Sequence, residues 1–142
     1  MKEPIDPKPP LPRDPEVIIS GTNGQLRDAF FDYDRSAVRP DAVAALEHDA
    51  RLLAPLLTDF PQITLSIEGH CDERGSAEYN LGLGDHRARS AAEVLSQFGI
   101  SAARVQVVSF GKEAPQCGES NEACWQRNRR AHLVIRTSGG TE

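Results

Sequence analysis

The order of strand and helix patterns along the 142-residue chain predicts an α/β (α+β) two-layer sandwich. Residues 63–68 alternate apolar and polar side chains, which is the period of a half-buried strand, and Ala131, Leu133 and Ile135 recur at the same spacing of two. Residues 43–57 and 88–95 carry apolar side chains at helical spacing instead. Strands that alternate with helices in this way are typical of a sheet packed against helices.

The first predicted elements are a short strand and a long helix. Residues 26–33 contain two adjacent phenylalanines and indicate a strand that ends at Asp34. Pro40 then begins helix one, and Pro55 is expected to kink or end its last turns because proline lacks a backbone donor. The apolar stripe of this helix consists of Val43, Leu46, Ala50, Leu53 and Leu57.

The remaining elements complete the alternation. Strand two covers residues 63–69, and helix two ends at Gly99, which an apolar residue follows. Residues 105–110 and 131–135 are predicted to be strands three and four. Between them lies a polar segment that contains proline, glycine and two cysteines, and we expect no regular element there.

The composition is that of one ordinary globular domain, with 39% hydrophobic and 26% charged residues. The formal net charge of −5 disfavours nucleic acid as a partner, because such binding depends on Lys and Arg that neutralise phosphates. No run approaches the roughly 18 to 20 apolar residues that cross a bilayer. Residues 1–4 lack the features of a secretory signal, which leaves a cytosolic protein or a trimmed chain open.

Proline content divides the chain into segments. Six prolines fall within residues 1–15, so residues 1–24 are predicted to be a flexible, extended tether. Residues 25–137 are predicted to form the folded domain, and residues 138–142 a disordered tail.

The residues richest in chemistry, Gly-His-Cys-Asp-Glu-Arg-Gly at 69–75, lie where strand two ends and a loop leads to helix two. Loops beyond the carboxyl ends of strands are favoured positions for ligands. One alternative is a cytosolic thiol enzyme in which His70 activates Cys71. Adjacent strand residues point to opposite faces, which disfavours that pairing.

A metal site built from His70, Cys71, Asp72 and His86 is another alternative. Four mixed ligands without regular spacing match no zinc pattern, so we expect no metal and no cofactor. A structural histidine and a small buried cysteine are the simpler interpretation. For Asp72 and Arg74 the simplest interpretation is a solvated turn with a surface ion pair.

Four blocks of the sequence, in the same order, resemble the OmpA-like peptidoglycan-binding domains, in the form found in peptidoglycan-associated lipoproteins. The blocks are FFDYDRSAVRP, GHCDERGSAEYNLGLGDHRARSA, VVSFGKEAP and NRRAHLVI, within residues 25–136. Four separated blocks in register are far more specific than one short motif. The resemblance implies a β/α/β/α/β/β order, with a four-stranded mixed sheet packed against two main helices.

The same resemblance implies a pocket for the peptide stem of peptidoglycan, chiefly for the free end of diaminopimelate. Asp72 and Arg87 match two of the family's binding positions. The other matching positions are Tyr33, Asp34, Arg74, Tyr79, Asn80 and Leu83. Gly82 and Gly84 depart from the family, in which serine or a larger residue is frequent, and we expect them to loosen the start of helix two.

The chemistry of this ligand is consistent with these residue types, because the free end of diaminopimelate carries both an ammonium and a carboxylate. Asp72 can accept hydrogen bonds from the ammonium, with Asp34 as a second acceptor. Arg87 can hold the carboxylate through two parallel bonds, and it shares a helix face with Asn80 and Leu83. These residues suit binding rather than activation of water, so the domain is predicted not to be an enzyme.

The resemblance also implies a location and partners. The implied location is the periplasmic side of the outer membrane of a Gram-negative-type bacterium, with a lipid anchor on a preceding cysteine. A Tol-system protein active in cell division is the implied second partner. In that oxidising compartment Cys117 and Cys124 are expected to form a disulfide. The nearest alternative is the wall-binding domain of a porin-like or flagellar-stator protein.

Overall fold

The computed structural model describes residues 14–137, which form a mixed four-stranded sheet and four α-helices within that range. The strands are β1 (Ala29–Phe30), β2 (Ile63–His70), β3 (Val105–Gly111) and β4 (Arg130–Thr137). The helices are α1 (Pro15–Asn23), α2 (Pro40–Asp59), α3 (Ala77–Gln97) and α4 (Glu122–Asn128), with a short 3-10 helix at Ala102–Arg104. The predicted tail and the first 13 residues of the predicted tether lie outside the described residues.

The strands are arranged in the order β1-β4-β2-β3. The central strand β2 is parallel to β3, with Leu65 opposite Val105, and antiparallel to β4, with Leu65 opposite Ile135. β1 pairs antiparallel with the start of β4. This mixed sheet confirms the predicted fold class.

The hydrophobic core lies between the sheet and the pair of long helices. Alternate residues of β2 and β4 point into it, because side chains alternate across a strand. The stripes of α2 and α3 cover this face of the sheet, as their spacing predicts. The largest fully buried apolar side chains of this core are Phe31, Leu46, Leu53, Ile63, Leu65, Ile67, Leu95 and Leu133.

Pro55 was expected to kink or end helix α2, and it does not end it, since the helix continues through Pro55 to Asp59. Carbonyl groups at a helix end need partners from outside the helix. The guanidinium of Arg104 supplies them, since it donates to the carbonyl of Leu57 at 2.7 Å and to that of Phe60 at 3.0 Å. A side chain remote in sequence therefore contributes to the end of this helix.

Helix α3 is unbroken from Ala77 to Gln97, and the glycines near its start do not interrupt it. The side-chain oxygen of Ser76 caps the first turn by accepting from the backbone N–H of Tyr79 at 3.1 Å. Gly99, with φ at +96°, follows the last turn as expected.

β1 is much shorter than the predicted strand over residues 26–33. The backbone N–H of Arg27 donates to the carboxylate of Asp49 in α2 at 2.8 Å, so this part of the segment is bonded to a helix. Beyond the strand, Asp34 adopts a left-handed conformation with φ at +57°, which turns the chain toward α2. Both departures depend on tertiary contacts.

Residues 15–23, assigned to the tether from the sequence, form helix α1 instead. The side chain of Asp14 caps the helix by accepting from the N–H of Glu16, and Pro15 occupies its first position. The side-chain amide of Asn23 bonds to both backbone groups of Ile135, at 2.9 and 3.3 Å. It thereby occupies the edge of β4 beyond the short β1.

Helix α4 lies in the polar segment for which no element was expected. Its cap is Asn121, whose side-chain oxygen accepts from the N–H of Cys124 at 2.9 Å. A disulfide joins Cys124 to Cys117, with 5.3 Å between their Cα atoms. Within residues 14–137, no helix combines the length and the hydropathy that a membrane-crossing segment requires.

Candidate functional site

All eight residues assigned to the site from the sequence line one pocket, together with Cys71 and Gly75. The pocket lies where β2 ends and α3 begins, beside the turn that follows β1. Its volume is about 50 Å³, far below the roughly 300 to 1,000 Å³ of typical small-molecule sites. Little open space is therefore left between the side chains that line it.

The carboxylate of Asp72 is buried at the base of this pocket, which contradicts the interpretation of a solvated turn. Its Oδ1 accepts from the backbone N–H of Arg74 at 2.9 Å and from Nε of the same residue at 3.1 Å. Its Oδ2 accepts from Arg74 Nη2 at 2.7 Å and from Arg129 Nη1 at 3.4 Å. Burial by itself raises the pKa of Asp72, but these bonds outweigh it and hold the pKa below its usual value.

The guanidinium of Arg74 is stacked between two aromatic rings. Its central carbon lies 3.9 Å from the ring centroid of Tyr33 and 3.9 Å from that of Trp125. The indole N–H of Trp125 donates to Glu73 at 2.9 Å, which orients the ring over the guanidinium. A cation over an aromatic face is attracted electrostatically by the ring. The two rings therefore stabilise the position of Arg74 in addition to its ion pair with Asp72.

Sequence reasoning did not find Trp125, because it did not find helix α4. One local signal was present: Asn121 is a good capping residue, and Glu122 follows it in the first turn. Arg129, just after this helix, was missed for the same reason. Its guanidinium is buried and donates to the carbonyl of Phe31 at 2.8 Å as well as to Asp72.

Arg87 on α3 is fully buried, and its guanidinium is held by backbone carbonyls. Nε donates to Arg35 at 2.8 Å, Nη1 to His70 at 3.0 Å and Nη2 to Asp32 at 3.0 Å. Burial lowers the pKa of Arg87. Among residues 14–137 no carboxylate lies within 4.0 Å of this guanidinium, which leaves a buried positive charge facing the pocket.

The mouth of the pocket is formed by Asp34 and Tyr79. The hydroxyl of Tyr79 donates to Asp34 Oδ1, which joins the turn after β1 to the first turn of α3. This hydrogen bond raises the pKa of the Tyr79 hydroxyl. Both rings at the mouth are exposed, since Tyr33 and Tyr79 each keep more than half of their surface in solvent.

Asn80 and Leu83 line the pocket in different ways. The amide of Asn80 donates to the carbonyl of Arg74 at 2.7 Å and to that of Ser76 at 2.9 Å. Its polar hydrogens are therefore used to hold the loop in place. Leu83 is half-buried and contributes an apolar wall.

The geometry argues against His70 as a base for Cys71. The Cys71 thiol is buried and donates to the carbonyl of Asn80 at 3.3 Å, and burial raises its pKa to about 11. The imidazole of His70 bonds to Glu68 at 3.2 Å and stacks on Phe110. In the part of the chain that the structure describes, no group of three acidic, cysteine or histidine side chains could hold a metal ion.

A sequence model of the OmpA family matches residues 30–129, which include every residue of the pocket. The chain belongs to the OmpA family. This assignment confirms the resemblance drawn from the four sequence blocks.

Proteins of known name or structure are similar to this OmpA-family chain. The peptidoglycan-associated lipoprotein of Rhizobium meliloti is 41% identical over 110 residues, which cover 78% of this chain. This chain spans 60% of the length of that relative. The crystal structure of the peptidoglycan-associated lipoprotein from Burkholderia pseudomallei is 37% identical with a TM-score of 0.69, covering 87% of this chain and 98% of the other.

Another solved structure shares the fold at lower sequence identity. The C-terminal domain of Helicobacter pylori MotB superposes with a TM-score of 0.66 at 19% identity, covering 78% of this chain and 84% of the other. Identity at this level shows a common OmpA-family fold and nothing about a common role.

Proposed function

We propose that the OmpA-family domain, residues 25–137, binds peptidoglycan without covalent chemistry, through the free end of diaminopimelate in the peptide stem. The observation that carries this proposal is the meeting of a buried carboxylate, Asp72, and a buried guanidinium, Arg87, in one pocket. A ligand that presents an ammonium and a carboxylate together matches that pair. The similar proteins are named peptidoglycan-associated lipoproteins, which supports peptidoglycan as the ligand.

Arg87 would hold the distal carboxylate. Three of the five guanidinium N–H groups donate to backbone carbonyls, which leaves one N–H on each terminal nitrogen. Two such groups can hold the two oxygens of one carboxylate in parallel. Since no carboxylate pairs with Arg87 among residues 14–137, a ligand carboxylate would supply the missing countercharge.

Asp72 and Asp34 would accept hydrogen bonds from the ammonium. Asp72 stays ionised at neutral pH, because its pKa is held below the usual value. Asp34 lies at the mouth, where its carboxylate already accepts from the hydroxyl of Tyr79. The ammonium would therefore sit between the base and the mouth of the pocket, with Leu83 against the aliphatic chain.

The proposed role of this binding is to anchor the outer membrane to the cell wall. The full-length protein would lie on the periplasmic side and be held in the outer membrane by a lipid anchor, in keeping with the name of its relatives. A Tol-system protein is the proposed second partner, within the machinery that constricts the envelope during division. The disulfide between Cys117 and Cys124 is compatible with an oxidising compartment.

Sedimentation with purified peptidoglycan sacculi tests the proposal. The wild-type domain should sediment with sacculi that contain diaminopimelate, and Asp72→Asn should remain largely in the supernatant because the amide lacks the negative charge. Asp85→Asn is the matched control, since Asp85 is exposed on α3 and pairs with Arg89 outside the pocket. Equal sedimentation of wild type and Asp72→Asn would rule out this site.

Calorimetry with matched stem peptides tests the chemistry of recognition. A peptide with lysine in place of diaminopimelate keeps the ammonium but lacks the distal carboxylate, so Arg87 would stay without a countercharge. We expect the lysine peptide to bind weaker by about 1 to 3 kcal/mol, the usual cost of a buried group left unpaired. Equal affinities for the two peptides would contradict the role of Arg87.

A further inference from the structure

We propose that Arg74 is an internal occupant of the ammonium position, so that a ligand cation must displace its guanidinium from Asp72 before it can bind. This inference rests on the proposed function and concerns how the same pocket selects its ligand. It assigns Arg74 a role opposite to that of a ligand contact, because removing Arg74 should strengthen binding.

The hydrogen bonds at Asp72 support this role. Arg74 side-chain nitrogens reach both carboxylate oxygens, at 3.1 and 2.7 Å, and its backbone N–H adds a third bond at 2.9 Å. A guanidinium and an ammonium are both cationic donors, so they compete for the same lone pairs. With Arg74 in place, the cavity that remains beside it is only about 50 Å³.

The aromatic stack holds the guanidinium in this position. Tyr33 and Trp125 lie on its two faces, each at 3.9 Å, and Glu73 fixes the indole from the side. About a third of the Arg74 side chain is still exposed to solvent. A displaced guanidinium could therefore move into water without crossing the core, and the remaining loop could stay in place.

Selectivity follows from this arrangement. An ammonium that replaces the guanidinium keeps both oxygens of the buried Asp72 carboxylate bonded to a cation, whereas a ligand without a cation would leave it with only the longer ion pair to Arg129, at 3.4 Å. The apparent affinity for a cationic ligand is lowered by the fraction of molecules in which Arg74 occupies the site. Arg74 would thus reject anionic and neutral ligands and weaken the binding of the correct one.

Calorimetry with two peptides tests the inference: a stem peptide with diaminopimelate, and the same peptide with 2-aminopimelate (the pimelate peptide), which keeps the linking amine and the distal carboxylate but lacks the distal ammonium. Arg74→Ala should bind the diaminopimelate peptide about tenfold tighter than wild type, as expected if roughly a tenth of the wild-type molecules have the site free. The pimelate peptide should show no such gain. Arg89→Ala, which removes an exposed arginine of α3, is the control and should bind both peptides as wild type does.

Trp125 provides an independent measurement, because it is the sole tryptophan in the chain. Addition of the diaminopimelate peptide should change its fluorescence and its quenching by acrylamide in the wild type, as the guanidinium leaves the ring. Arg74→Ala should show little further change. If Arg74→Ala does not fold, as judged by circular dichroism, Arg74→Gln removes the charge while keeping most of the side chain.

Weaker binding of the diaminopimelate peptide by the Arg74 variants would overturn the inference and make Arg74 a ligand contact. Unchanged binding, or an equal gain with the pimelate peptide, would also overturn it. In each of these cases the proposed function stands, because the wild type binds. If the wild-type domain binds neither the peptide nor sacculi, the proposed function fails, and this inference fails with it.

Discussion

Gly69 of β2 and Gly84 of α3 meet backbone to backbone, and neither position has room for a Cβ atom. A Cβ on Gly84 would meet the hydroxyl of Ser109 on β3 and lie 2.9 Å from the carbonyl oxygen of Gly69. That hydroxyl donates to the carbonyl of Leu81 at 2.7 Å, so three elements are in contact at this point. The close approach brings the first turns of α3, which carry much of the pocket, against the end of β2.

Gly84→Ala should therefore destabilise the domain although alanine is the better helix former. We expect the free energy of unfolding in urea to fall by about 1 to 3 kcal/mol, the usual cost of forcing extra volume into a packed contact. Gly82→Ala is the matched control, because nothing lies within 4 Å of a Cβ at that position. It should raise the free energy of unfolding by about 0.5 to 1 kcal/mol. A stabilising Gly84→Ala would contradict the packing described for this contact.

Arg87→Ala should weaken the fold as well as any ligand binding. The substitution would leave three backbone carbonyls without their donors, one of them buried, and open a cavity, so we expect the free energy of unfolding to fall by about 3 kcal/mol. Arg89→Ala, two positions further on the same helix, removes only an exposed ion pair with Asp85. It should change the free energy of unfolding by less than about 1 kcal/mol. Similar urea midpoints for both variants would show that the carbonyl contacts of Arg87 contribute little.

Asp49 should make the protein less stable as the pH rises, whereas a carboxylate in a surface ion pair makes a protein more stable as the pH rises. Burial raises the pKa of this fully buried carboxyl from 3.8 to about 6 in the folded protein. The folded state therefore binds the proton more tightly than the unfolded state, and the stability from this group is present below about pH 4 and lost as the pH rises through about 6.

The comparison with Asp49→Asn isolates this effect, since asparagine keeps an oxygen to accept from the N–H of Arg27. The difference in free energy of unfolding between wild type and variant should shift by about 2 to 3 kcal/mol in favour of the wild type between pH 8 and pH 4. Urea titrations of both proteins at the two pH values measure it. A difference that stays constant would mean that Asp49 titrates normally.

The three cysteines should react in a fixed order. Cys71 is buried and free, whereas Cys117 and Cys124 are bonded to each other. Intact mass after alkylation should show no modified cysteine in the folded protein, one after unfolding without reductant, and three after unfolding with reductant. Three modified cysteines without reductant would show that the bridge does not form.

Loss of the bridge should act through helix α4. Replacing both bridged cysteines by serine should lower the free energy of unfolding by about 2 to 3 kcal/mol, according to the chain-entropy account of a short closed loop. Because Trp125 follows Cys124 directly, its indole ring should become more accessible to acrylamide in this variant, and its fluorescence should be quenched more strongly. Unchanged quenching would indicate that the contacts of Trp125 hold α4 without the bridge.

The sequence alone determined the long helices, the strands β2, β3 and β4, and eight of the ten residues that line the pocket. Periodicity is a local property, and an apolar stripe repeats over enough residues of α2 and α3 to be read without knowing what covers it. Four blocks in a fixed order were enough to assign the family. Neither kind of signal depends on which side chains meet in space.

Only the tertiary structure decided what the pocket residues are bonded to. Arg87 donates to carbonyls that are 17, 52 and 55 residues away, and such bonds leave no pattern in neighbouring residues. The same is true of Asn23, which fills the edge of β4 from a segment that composition assigned to a tether. Asp72 was expected in a solvated turn or on a free ligand site. It is buried and already paired with Arg74, whose guanidinium is stacked on the ring of Trp125. Trp125 belongs to a short helix that has no long apolar stripe, so periodicity did not reveal it.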